Sequence, residues 1–203
     1  MSDPLSDTFR TLVRSARTET VVQASRFIAD AVPIPDEAAA TIALNAVRKE
    51  FHAATHHCWA WRIGAEHPEV RSSDDGEPSG TAGRPILAAL ERRDITNALL
   101  IVTRYFGGTK LGTGGLARAY AEAAEAVLSC VEIETVVITA NFTIAVPYEI
   151  LPRVKSLIYK IGSIGEEEFG EIPRMRVTVP RSAAAGLKAA IIDASRGKAM
   201  FED

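Results

Sequence analysis

Residues Val102–Tyr120, V-T-R-Y-F-G-G-T-K-L-G-T-G-G-L-A-R-A-Y, constrain the fold more than any other stretch of the chain. An apolar strand ends in Arg104, Tyr105 and Phe106, passes through Gly107, Gly108, Gly112, Gly114 and Gly115, and opens into an alanine-rich helix. A strand that feeds a glycine-rich loop and a helix N-terminus is suited to anions. Loop amides can turn inward, and the first helical N–H groups carry partial positive charge. Lys110 lies inside the loop, Arg104 before it and Arg118 one turn into the helix. The alternative is a loop whose glycines only turn the chain.

A second loop of the same kind is D-D-G-E-P-S-G-T-A-G-R-P, residues 74–85. It also runs into a helix start, with Pro85 in the first turn and Ser79 or Thr81 as the capping candidates. Facing loops of this type would bind a phosphorylated or anionic group. The residues that would do so are Ser79, Gly80, Thr81, Arg84, Arg104, Gly107, Gly108, Lys110, Gly112, Thr113, Gly114, Gly115 and Arg118. Asp74, Asp75 and Glu77 are the oxygen donors a Mg²⁺ ion would take; the competing reading is that they solvate a loop and cap a helix. We assign no metal and no cofactor. Neither loop matches G-x-x-x-x-G-K-[ST]. Gly112-Thr113-Gly114 also lacks the third glycine of the dinucleotide fingerprint, so both nucleotide motifs are excluded.

H-A-A-T-H-H-C, residues 52–58, holds three of the four histidines. No acid separates His52 from His56 as a zincin helix would require. On a strand beginning at His56, alternation puts His56 and Cys58 on one face and His57 on the other. His56 and Asp75 are then the candidates for a general base or a phosphate ligand. Trp59, Trp61 and Cys130 read as core.

Elsewhere, residues 1–17 read as loosely held and Thr18–Ile34 as two short strands or one bent one. Asp36 and Glu37 open a helix with Ala40, Leu44, Val47 and Phe51 on one face. Residues 65–83 read as a long polar segment and Asn97–Thr103 as a buried strand. Helices are expected over Arg84–Arg92 and Gly114–Cys130, the latter with Leu116, Tyr120, Ala123 and Val127 facing a sheet. From about Glu134 the order becomes β-α-β-β-α, with Val136–Val146 as the first strand. That order suits a ferredoxin-like plait without a full final strand. The chain therefore divides into residues 1–133 and 134–203, and the fold class is α+β. The net charge of −3 over 203 residues gives neither part a bulk basic character, so nucleic-acid contact requires a local patch. Two distant cysteines offer neither a zinc knuckle nor a disulfide framework. No apolar run spans a membrane, and the polar start has no signal-peptide core, so a cytoplasmic location is expected.

S-R-F at Ser25, H-H-C-W-A at His56, D-D-G-E-P-S-G-T-A-G-R-P-I and R-Y-F-G-G-T-K-L-G-T-G-G-L-A-R-A-Y together resemble the IMPACT/YigZ family, bacterial two-domain type. The resemblance covers roughly residues 15–130. It implies an N-terminal α/β domain of the type shared by a ribosomal-protein domain, elongation factor G domain IV and GHMP kinases. The C-terminal part is similar to elongation factor G domain V. Eukaryotic members act in translational control. The function the resemblance implies is binding of RNA, the ribosome or translation factors. The alternative is an enzyme acting on a phosphorylated small molecule through the paired loops.

Overall fold

The computed structural model describes residues 7–202, which form eleven strands and five helices. By their own contacts they divide into two compact units. One is Phe9–Val136; the other is Val137 onward with the residues just before Phe9.

The first unit is built on a five-stranded antiparallel sheet. Its strands are β2 (Ala16–Val22), β3 (Ser25–Pro33), β4 (His56–Ile63), β5 (Glu69–Ser73) and β6 (Ala98–Tyr105), in the order β2-β3-β6-β4-β5. Alternation along the central strands gives the sheet two apolar faces. Phe27, Ala29, Ala31, Cys58, Ala60, Ala98, Leu100 and Val102 pack under α2 (Gly83–Arg92) and α3 (Gly112–Cys130). Leu99, Ile101 and Trp61 face the other way, under α1 (Glu37–Glu50). Alanines along α3, with Ala119, Ala123 and Ala124 buried, let its backbone lie close to the sheet. Asp36 caps α1 by accepting the Ala39 N–H at 2.8 Å.

The second unit runs β8 (Thr139–Ala145), α4 (Leu151–Ile158), β9 (Ser163–Glu168), β10 (Arg174–Pro180), α5 (Arg181–Ser195) and β11 (Met200–Glu202), with strand order β11-β8-β10-β9. This is the expected split β-α-β plait, closed by a final strand of three residues. The buried face of its sheet, with Phe142, Ile144, Met175 and Val177, packs under α4 and α5.

Four expectations are corrected. Cys130, read as core, is exposed at the end of α3. The segment up to residue 17 contains β1 (Thr8–Leu12), which pairs with β7 (Ile133–Val137); residues 1–6 lie outside the described residues. The polar segment 65–83 contains β5, E-V-R-S-S, an edge strand with four exposed residues and therefore no alternating apolar signal. The strand expected over Val136–Val146 is interrupted at Ile138, where β7 ends and β8 begins. The two-strand reading of Thr18–Ile34 holds as the β2–β3 hairpin. Its turn is Gln23-Ala24, both with positive φ and neither a glycine nor an asparagine.

Candidate functional site

The two glycine-rich segments are anchored on one buried carboxylate. Arg104, near the end of β6, donates from Nη1 to Glu77 Oε1 at 2.6 Å, and the Tyr120 hydroxyl of α3 donates to the same oxygen at 2.7 Å. Glu77 belongs to the 74–85 segment, whereas Arg104 and Tyr120 flank the 107–115 glycines. Alternation of β6 and β4 carries Arg104 and His56 onto the α3 side of the sheet, where they sit in register. All three members of the Arg104–Glu77–Tyr120 group are buried. The guanidinium lies 5.5 Å from the rings of both Phe27 and Phe106, which supplements its single carboxylate partner.

This placement corrects one residue of the expected anion surface. Arg104 is 4 % exposed and neutralised by Glu77, so it holds the fold rather than meeting a ligand at the surface. The three acids considered as Mg²⁺ donors also diverge. Asp74 accepts the amide N–H groups of Gly80, Ala82 and Gly83 at 2.8, 2.9 and 2.8 Å. Asp75 accepts from Arg48 at 2.9 Å and from the His57 N–H at 2.7 Å. Asp74 therefore caps α2 from nine residues upstream. Ser79 is exposed, and Thr81 turns its hydroxyl to the Pro78 carbonyl at 2.6 Å, so neither caps the helix. Burial of Asp74 pushes its pKa up, but the three amides outweigh this and hold it below the ordinary value.

His56 Nδ1 lies 2.8 Å from the Asp75 carbonyl oxygen, which can only accept. Nδ1 therefore carries a proton, and in the neutral ring Nε2 presents its lone pair, 3.8 Å from Glu77 Oε1. With 19 % of its side chain exposed, His56 keeps some contact with solvent. Cys58 is an unsuitable nucleophile. It is fully buried, its thiol donates to the Asp74 carbonyl at 3.0 Å, and burial pushes its pKa up to about 12. Burial likewise holds the Tyr120 phenol protonated, with Cys58 and Glu77 adding to the effect. Asp75, with both oxygens engaged, is placed as a loop anchor, leaving His56 as the side chain of the pair with a free basic nitrogen.

The 107–115 loop is fixed at one end and open at the other. The Gly107 N–H donates to Ser25 Oγ at 3.2 Å, and a Cβ on Gly107 would sit 2.1 Å from the carbonyl carbon and oxygen of Ala24. Only glycine allows that approach. Gly107→Ala is expected to lower stability by roughly 2–3 kcal/mol, the upper range for overpacking, read as a shift in the urea midpoint. Gly108 and Gly112 adopt φ of +88° and +69° and face open space. Lys110, Gly112, Thr113, Gly114 and Arg118 are exposed. No side chain caps the first turn of α3, and that turn contains no acid. The position of a Cβ on Gly114 lies 3.8 Å from Arg118 Nη1, so this guanidinium overlooks the first turn. Arg84 is exposed at the start of α2, with its Cδ 3.8 Å from the Cβ position of Gly80. Thus one of the two helix starts is closed by Asp74, and the other presents its free amides.

Sequence reasoning did not single out Glu77 or Tyr120 as partners. Glu77 stands in the sequence as one of three loop acids and Tyr120 as one residue on an apolar helix face. Their 43-residue separation leaves no local pattern that would link them.

A family model described as the Impact N-terminal domain matches residues 23–128. The Escherichia coli (strain K12) protein called IMPACT family member YigZ is 34% identical over 179 residues, covering 87% of this chain and 88% of that protein. Protein IMPACT of Oryctolagus cuniculus is 32% identical over 93 residues, covering 43% of this chain and 29% of that protein. A crystal structure of a hypothetical protein superposes with a TM-score of 0.68 at 30% identity, covering 97% of each chain.

Proposed function

The chain belongs to the IMPACT family, and from that premise we propose that it is a cytoplasmic protein that binds RNA or the translation machinery through phosphates. The observation that carries this reading is the exposed, uncapped first turn of α3, Gly112–Gly115, with Lys110 before it and Arg118 above it. Free amides and two exposed cations form a site for a phosphate backbone without requiring a basic protein overall. Arg84 is a third exposed cation of the same unit. The link to translational control comes from the family resemblance to the eukaryotic members, and the likeness of the two units to domains IV and V of elongation factor G is what the resemblance to the bacterial two-domain type implies. The described helices contain none long and apolar enough to cross a membrane.

Filter binding with an RNA oligonucleotide and sedimentation with ribosomes test the proposal. Lys110→Ala and Arg118→Ala should each weaken binding and lower the salt slope by about 1. Gly114→Ala meets only ordinary contacts and should leave the fold intact while crowding the first turn. Absence of binding at low salt, or binding indifferent to both charge variants, sinks this reading. An enzyme acting on a phosphorylated small molecule is the alternative, with His56 Nε2 as its base. Thermal-shift screening with phosphorylated metabolites separates the two: stabilisation lost on His56→Gln would favour the enzyme.

A further inference from the structure

Strand β9 and the turn after it, residues 163–173, contain four glutamates; the first cation that follows is Arg174, which stands opposite Glu168 and pairs with Glu202 at 3.5 Å. The same stretch exposes large apolar side chains: Phe169 is 64 % and Ile172 41 % exposed. Tyr148, from the loop after β8, joins them at 52 % exposure, and its hydroxyl donates to the Gly170 carbonyl at 3.0 Å. The Val146 N–H donates to the Pro173 carbonyl at 3.1 Å, so the loop and the hairpin are tied together at two points. The loop that carries Tyr148 and the hairpin end that carries Phe169 and Ile172 are therefore held together before any partner arrives.

The charges around this patch are unbalanced. Glu167 is paired with Lys155 at 2.5 Å, and the same ammonium lies 5.7 Å from the centre of the Phe169 ring. Glu168 stands opposite Arg174 on the sheet face away from α4 and α5, whereas Glu149 and Glu171 have no ion-pair partner among the described residues. Two unpaired carboxylates, one next in sequence to Tyr148 and one two residues after Phe169, repel phosphate. They suit guanidinium or ammonium groups, which pair with the acids and stack on the rings. Aromatic anchors of this kind carry much of the energy of protein interfaces.

We propose that this end of the second unit is a docking surface for a basic protein segment that presents arginine or lysine beside apolar side chains. Tyr148, Phe169 and Ile172 take the apolar contacts, and Glu149 and Glu171 take the cations. The surface is separate in residues and opposite in charge from the α3 phosphate site, and it does not depend on that site's function.

The test uses the full chain and a labelled synthetic peptide in which arginine alternates with leucine and tryptophan. The controls are the same peptide with glutamate for arginine, and oligouridine. Amide shifts on peptide addition should fall on residues 147–149 and 166–172. Affinity should drop tenfold or more in Phe169→Ser and in the double variant Glu149→Gln/Glu171→Gln, and should fall as salt rises. These positions are exposed, so the variants should fold. The proposal is overturned if affinity is indifferent to both variants, if the acidic peptide binds equally well, or if oligouridine is what shifts the hairpin. Self-association abolished by Phe169→Ser would also overturn it, by making a second copy the occupant. Lys110→Ala and Arg118→Ala should leave peptide binding unchanged, so failure at either surface is distinguishable from failure at the other.

Discussion

Glu77→Ala is expected to destabilise the Phe9–Val136 unit by about 3–5 kcal/mol, because it strands a buried cation. Arg104 is 4 % exposed, and Glu77 supplies its carboxylate partner at 2.6 Å. Its other hydrogen bond, to Ser25 Oγ, is 3.3 Å long and to a neutral oxygen. The Tyr120 hydroxyl, also buried, would lose its acceptor at the same time. Glu77→Gln keeps the shape and one acceptor and should cost less than alanine. Removing both charges in Glu77→Leu/Arg104→Met should recover much of the loss, since a well-packed apolar pair avoids desolvating either ion. Urea unfolding followed by tryptophan fluorescence isolates the effect, because Trp59 and Trp61 both lie on β4 of this unit. A cost below about 1 kcal/mol for Glu77→Ala would mean that Arg104 relaxes to water and that Glu77 is not the anchor of the two loops.

Much of the first unit was legible because its elements announce themselves locally. The apolar run before Arg104, the helical spacing after Gly112 and the Asp36 start of α1 all follow from patterns within a few residues. The facing of β4 was also readable: alternation placed His56 and Cys58 opposite His57, as the register shows. Failures came where the signal is not local. β1 alternates only between exposed and half-buried positions before the buried Leu12, and β5 has no buried side chain, so their strand character comes from the neighbours they pair with. The β2–β3 turn uses Gln23 and Ala24 at positive φ, where turn chemistry favours glycine or asparagine. Ser79 and Thr81 stand where a cap of α2 is ordinarily found, next to the helix; Asp74 reaches it only because the loop folds back.

The candidate site was legible in its parts but not in its division of labour. The segments that carry the family resemblance supply two different things. Ser25, Asp74, Glu77, Arg104, Gly107 and Tyr120 bind one another and fix the loops. Lys110, Gly112–Gly115 and Arg118 remain outside that frame, with Lys110, Gly112, Gly114 and Arg118 exposed or partly so. A sequence shows both groups as glycine, acid and base in one motif. Burial is what separates the arginine whose desolvation is offset by a glutamate from those that stay available to a ligand.

Asp74→Ala should cost about 3–4 kcal/mol at neutral pH, through three amides rather than one. The Gly80, Ala82 and Gly83 N–H groups all point at this carboxylate, and Ala82 and Gly83 are buried, so water cannot readily replace it. The effect has a definite pH signature. Burial raises the Asp74 pKa and the three amides lower it more, leaving it below the ordinary aspartate value of 3.8. A depressed pKa means that the native state binds the proton less tightly than the unfolded chain. The stabilisation is therefore complete above 3.8 and is lost as the pH falls through the native value. The stability gap between wild type and Asp74→Ala should accordingly be constant from about pH 7 to about 5 and narrow below about pH 4. Urea midpoints at about pH 7 and about pH 3, read from the same tryptophans, measure it. A gap that stays unchanged in acid would show that the carboxylate's charge is not what holds the start of α2, and that its shape alone suffices.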